Sequence, residues 1–95
     1  MIGVDQGNWF VYILECRDKT LYTGITDDYV RRIAAHNAGK GAKYTRGRGP
    51  LRLRYLEACP NRSEASKKEF AIKQLTRKEK LALCEANSIY HNISK

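Results

Sequence analysis

Residues 9–37 read WFVYILECRDKTLYTGITDDYVRRIAAHN, and the fold turns on how this stretch divides. Trp9 to Glu15 is aromatic, β-branched and unbroken, the make-up of a buried strand. Arg17, Asp18 and Lys19 interrupt it with charge. Leu21 to Thr26 then resumes the same chemistry, so the two runs are expected to pair as an antiparallel hairpin. Asp27 and Asp28 both suit a helix cap, and behind them Val30, Ile33, Ala34 and Asn37 recur at helical spacing. A helix is therefore expected over 28–37, closed by Gly39.

Beyond this unit, residues 39–50 (GKGAKYTRGRGP) are rich in Gly, Lys and Arg and read as a mobile basic loop. Residues 51–58 alternate, with Leu51, Leu53 and Tyr55 set against Arg52 and Arg54, which predicts a third strand with one face open. Pro60 and Asn61 break the chain before a helix expected over 63–75. Thr76 and Glu79 form a capping-box pattern that starts a final helix ending near Asn87. The order is β-β-α-β-α-α: an α+β domain with a small three-stranded antiparallel sheet flanked by helices. The expected division is a short tail over 1–8, one domain over 9–87, and a second tail over 88–95.

A chain of 95 residues supports one small core. Its 18 Lys and Arg against 10 Asp and Glu leave a net charge of +8, which favours a polyanionic partner through counterion release. Cys16, Cys59 and Cys84 are odd in number and form no C-x-x-C pair. That argues against a disulfide framework or zinc knuckle and for buried reduced thiols in a cytoplasmic protein. No apolar run approaches a membrane span, and residues 1–8 lack the plan of a signal peptide. No apolar stripe is left over, so a monomer is expected.

Several residues invite chemical readings beside structural ones. Glu69 lies among Ala65, Ile72 and Thr76 on one helical stripe, where an ionised carboxylate needs a partner. A buried Arg or Lys is the commoner partner and a divalent cation the other; a rotated helix that buries Phe70 would leave Glu69 wet. Arg32 and His36 stand at i, i+4 and share a face, able to point two donors at one anion or to form a solvated polar face. Tyr12 and Tyr22 share a sheet face only if the hairpin turn holds an odd number of residues. Gly24 inside a strand marks a close approach to the backbone. Lys40, Lys43, Arg46, Arg48, Arg52 and Arg54 form a positive patch suited to phosphates, or a solvated charged loop. Gly39 to Ala42 (GKGA) also resembles the glycine-flanked clamp of KH domains, without the surrounding helix pair.

In that order, Tyr12 in FVYIL, YTG at Tyr22 to Gly24, Arg32, His36 and Glu69 closely resemble the motifs of the GIY-YIG nuclease superfamily, above all its small stand-alone bacterial members of the YhbQ/YazA kind. The resemblance implies a metal-dependent endonuclease acting on nucleic acid, DNA ahead of RNA, in repair or recombination. Tyr12 would position or deprotonate the attacking water, and Tyr22 would orient the phosphate or share that task. Arg32 would neutralise phosphoryl charge, and His36 would support the site. Glu69 would hold one Mg²⁺ or Mn²⁺, and Asn87 would stand in for a supporting asparagine. Phe10-Val11-Tyr12 replaces Gly-Ile-Tyr, and the ending Asn87-Ser88-Ile89-Tyr90 follows its family counterpart only loosely. The alternatives are a weak or inactive DNA/RNA-binding module of this fold, and an adaptor whose basic surface meets an acidic protein.

Overall fold

The computed structural model describes residues 8–86. Strand β1 (Trp9–Glu15) and strand β2 (Leu21–Thr26) form the hairpin. Helix α1 (Tyr29–Asn37), strand β3 (Arg52–Cys59), helix α2 (Arg62–Lys73) and helix α3 (Arg77–Glu85) follow. The sheet order is β2-β1-β3, with both pairings antiparallel. The α+β class, the order β-β-α-β-α-α and the three-stranded sheet are as expected. The third strand and the helices shift by a residue or two, and Asn87 lies outside the described residues.

Local chemistry sets each helix end. The Asp28 carboxylate accepts from the Arg31 N–H at 3.2 Å, making Asp28 rather than Asp27 the cap of α1. At the other end Gly39 takes φ 78°, its N–H donating to the His36 carbonyl and the Lys40 N–H to that of Ala35. This is a Schellman closure. Asn61 caps α2, and Thr76 with Glu79 completes the expected capping box of α3.

Strand β1 is central and buried on both sides, and its side chains alternate between two cores. Val11 and Ile13 pack with Tyr55 and Cys59, covered by Ala65 and Ile72 of α2 and Cys84 of α3. Tyr12 and Leu14 pack with Leu51 and Leu56, covered by Tyr29 and Ile33 of α1. Cys16, Cys59 and Cys84 are buried and free.

Two periodic readings need correction. Leu51, Leu53 and Tyr55 were expected on one face, but Ile13 pairs with Tyr55 while Leu14 pairs with Leu53, leaving Arg54 as the extra residue of a bulge. The bulge flips the alternation, so Leu53 joins the Tyr12 core and Tyr55 the opposite one. In α1 the apolar residues were expected inward, yet Val30 is 67% exposed and Ala34 and Asn37 are exposed. The inward face carries Tyr29, Arg32, Ile33 and His36, because the imidazole finds hydrogen-bond partners inside that outweigh the cost of burying it.

The basic loop carries local structure and contacts to its neighbours. A short 3₁₀ turn, Lys43–Thr45, sits within it. The Leu51 N–H donates to the Asn37 side chain at 2.8 Å, the Arg17 N–H to the Arg48 carbonyl at 2.7 Å, and Arg48 pairs with Asp18.

Candidate active site

The β1–β2 turn decides whether a site can form. Arg17, Asp18 and Lys19 make a three-residue turn, in which the Cys16 N–H donates to the Thr20 carbonyl at 2.8 Å and Lys19 takes φ 73°. The odd turn sets Tyr12 opposite Gly24 and Tyr22 opposite Leu14, so both phenols leave the same face, with ring centroids 6.4 Å apart. A Cβ at Gly24 would lie 2.5 Å from the Tyr12 phenol oxygen. The bare backbone there lets the Tyr12 ring lie across β2, the edge strand.

His36 meets this pair from α1. Its ring centroid is 6.0 Å from that of Tyr12 and 5.3 Å from that of Tyr22. Its Nε2 is 3.1 Å from the Tyr12 hydroxyl, and its Nδ1 is 2.8 Å from the Thr45 hydroxyl. Burial, and then the Arg32 charge, hold the imidazole below its ordinary pKa, so it is neutral at neutral pH. Burial pushes the Tyr12 phenol upward. Hydrogen bonding from Arg32 pulls it down, while the Tyr22 and Glu69 charges push it further up. Arg32 and Glu69, distant in sequence from Tyr12, therefore both act on its oxygen. Arg32 also opens onto a cleft of about 270 Å³ that it lines with Thr26, Asp27, Asp28, Arg31 and Ala35.

Glu69 stands on α2, the helix packed chiefly against β2 and β1. Ala65 and Ile72 of its stripe are buried as expected, and Thr76 instead caps the next helix. Phe70 is 68% exposed, which removes the rotated-helix alternative. The Glu69 side chain is 25% exposed and pairs with Lys73 at 3.2 Å, so a structural ion pair is present. Lys73 is half-exposed and approaches from the same helix, an arrangement that is readily exchanged for another cation. Among the described residues no group of three or more His, Cys, Asp or Glu could hold a metal ion. Glu69 is thus a lone partly buried carboxylate, a donor type that suits a hard divalent cation but is a sparse ligand set by itself.

The basic residues separate into two kinds. Lys40, Lys43 and Arg46 are exposed, and among the described residues no ion pair engages them. Arg48 pairs with Asp18, and Arg52, 59% exposed, stands 3.8 Å from the buried Glu15. Arg54 is 11% exposed, with its guanidinium 2.7 Å from Glu15 and 3.3 Å from Glu85. Its charge is committed to holding a buried carboxylate.

Two residues of this site carry no expectation from sequence. Thr45 is 1% exposed and caps the far side of the His36 ring. Gly41 abuts the same ring; a Cβ there would lie 2.2 Å from Nδ1. Gly41 entered the sequence reading only as part of GKGA, with no link to His36. Nothing in the sequence marks Thr45 apart from other loop threonines.

Comparisons with known proteins bear on the family. The family model described as the GIY-YIG catalytic domain matches residues 8–82. A UPF0213 protein of Desulfotalea psychrophila is 56% identical over 84 residues, covering 87% of this chain and 76% of that protein. A UPF0213 protein of Halobacterium salinarum is 58% identical over 73 residues, covering 77% and 95%. The solution structure of a UPF0213 protein from Bacillus halodurans superposes with a TM-score of 0.59 at 49% identity, covering 93% of this chain and 95% of that one. The site's residues, the fold that gathers them and these matches lead to one assignment: the chain belongs to the GIY-YIG catalytic domain family, among its small UPF0213 proteins.

Proposed function

We propose that this protein is a metal-dependent endonuclease-like domain that hydrolyses phosphodiester bonds in nucleic acid, with DNA ahead of RNA and a place in repair or recombination. The observation that carries the reading is the convergence on the Tyr12 hydroxyl. His36 Nε2 lies 3.1 Å away, the Tyr22 ring lies beside it, and the Arg32 and Glu69 charges both act on it. A site for binding alone does not require Glu69, since a carboxylate repels phosphate unless a cation lies between them.

Hydrolysis requires an aligned water, neutralised phosphate charge and help for the leaving oxygen. Tyr12 aligns the water and accepts its proton as its own phenol proton passes to His36 Nε2, 3.1 Å away. Arg32 places a fixed cation where charge grows on the phosphoryl group, and Tyr22 orients the phosphate. Glu69 is the residue that would hold Mg²⁺ or Mn²⁺, which when bound supplies positive charge to the phosphate and the departing oxygen. Lys40, Lys43 and Arg46 grip the backbone without reading sequence.

A second reading, a module of this fold that binds without cutting, draws on two observations. Lys73 occupies Glu69, and burial raises the Tyr12 phenol. Purified protein is incubated with supercoiled, single-stranded and branched DNA, with and without Mg²⁺ or Mn²⁺, beside Glu69→Ala and Arg32→Ala. Metal-dependent cleavage lost in both variants is the expected result. Salt-sensitive binding with no cleavage of any substrate replaces the nuclease with the module. Cleavage that survives both substitutions belongs to a contaminant.

A further inference from the structure

We propose that Thr45 is a positioning residue that holds His36 in its Nδ1–H tautomer, leaving Nε2 bare to take the Tyr12 proton. Three contacts run in series. Tyr12 Oη is 3.1 Å from His36 Nε2, His36 Nδ1 is 2.8 Å from Thr45 Oγ1, and Thr45 Oγ1 is 2.9 Å from the Ala42 carbonyl oxygen. The carbonyl has no proton, so Thr45 must donate to it. The Thr45 hydroxyl has only one proton, so it accepts from Nδ1, which must carry the hydrogen. A neutral imidazole protonated at Nδ1 is an acceptor at Nε2, and the Tyr12 O–H fills that contact. The opposite tautomer spends the Thr45 proton on Nδ1. It then leaves two oxygens facing each other at 2.9 Å with no hydrogen between them, inside a region where unmade hydrogen bonds are costly.

The same series accepts a proton without rearrangement. When the Tyr12 O–H bond breaks and the Nε2–H bond forms, a phenolate and an imidazolium result and net charge is unchanged. The imidazolium donates to the phenolate on one side and to Thr45 on the other, and Thr45 still donates to Ala42. The phenolate, beside Arg32, can then take a proton from water. Burial raises the Tyr12 phenol and lowers the imidazole, so both oppose the transfer; the Arg32 hydrogen bond and charge at the phenol act the other way, and the tautomer supplies the one lone pair in reach. Gly41 and the 3₁₀ turn at Lys43–Thr45 belong to the basic loop, so the segment bearing Lys40, Lys43 and Arg46 also sets the imidazole.

The consequence for cleavage rests on the nuclease reading; the tautomer does not. ¹⁵N NMR of the imidazole in the unmodified protein is expected to show protonated Nδ1 and unprotonated Nε2, unchanged in Thr45→Ser. In Thr45→Val, which keeps the shape but cannot accept, Nε2–H signal is expected to appear. Where cleavage is measurable, Thr45→Val should lower kcat by about 10- to 100-fold with KM little changed, the scale of losing a residue that orients a histidine, and Thr45→Ser should restore it. An Nε2–H tautomer in the unmodified protein overturns the proposal without any variant, and so does a folded Thr45→Val with its tautomer unchanged. Absence of cleavage on every substrate beside an Nδ1–H tautomer defeats the nuclease reading and leaves the tautomer assignment standing.

Discussion

The two faces of the central strand use burial for different ends. Val11 and Ile13 point into a mainly apolar core closed by α2 and α3, which holds the Tyr55 hydroxyl and two thiols, with the buried Thr23 and the Glu15–Arg54 pair on the same side of the sheet. Tyr12, one residue along, points into a face that also buries His36 and Thr45 and is held together by directional hydrogen bonds. The first face gains stability in rough proportion to the apolar area removed from water. On the second, burial fixes proton positions and removes competing water, so the same loss of exposure becomes chemical control. A substitution on one face should therefore register mainly in stability, and on the other mainly in reactivity.

The sharpest break of this comparison is Tyr12→Phe beside Ile13→Ala. Tyr12→Phe is expected to lower metal-dependent cleavage by about 10²- to 10⁴-fold, the range for losing a proton-transfer group, while the protein remains folded by circular dichroism. Retained cleavage would remove Tyr12 from the chemistry. Ile13→Ala is expected to cost about 2–5 kcal/mol in urea denaturation, as for large-to-small changes in a packed core, with cleavage per folded molecule near that of the parent. A strong loss of activity in the folded fraction would show that the two faces are not separable.

A second contrast lies within the basic residues. Arg54→Ala leaves the buried Glu15, among the described residues, with the more exposed Arg52 at 3.8 Å as its remaining ion-pair partner, so a loss of up to about 3–5 kcal/mol of stability is expected by denaturant titration. Arg46→Ala is expected to leave stability unchanged and to reduce the magnitude of the log–log salt slope of DNA binding by about 1. The reverse pattern would move Arg54 into the nucleic-acid interface.

The smallest expected effect concerns pH. The folded protein holds His36 below its ordinary 6.5 through burial and Arg32, with Tyr12 and Tyr22 as the other titratable groups against the ring. The unfolded chain therefore binds the proton first. The stability contribution is complete above 6.5 and declines as pH falls from there toward the depressed folded value. Denaturation curves at stepped pH should show this decline in the parent and its absence in His36→Gln; equal slopes in the two would contradict it.

The elements were legible because their signals are local. Asp28, Gly39, Asn61, Thr76 and Glu79 end or begin helices through contacts within a few residues, and the apolar runs at Trp9 to Glu15 and Leu21 to Thr26 need only each other. Tyr12, Tyr22, Arg32, His36 and Glu69 were legible as a set through their order along the chain. The inward turn of α1 was hidden because apolar spacing counts Val30 as core and His36 as surface. Only the partners waiting at Tyr12 and Thr45 reverse that preference. The bulge at Arg54 was hidden as well: local alternation carries no sign of it, and the Glu15 that Arg54 pairs with lies on another strand.

What the chain encodes by itself is the succession of strands and helices, its excess of positive charge, and the kinds of side chain available for chemistry, since each depends on near neighbours or on composition. Tertiary structure alone decided which way α1 faces, that a loop threonine governs the imidazole, and that Arg54 serves a carboxylate. Those outcomes depend on hydrogen bonds between segments far apart in sequence, and no local preference carries their energy.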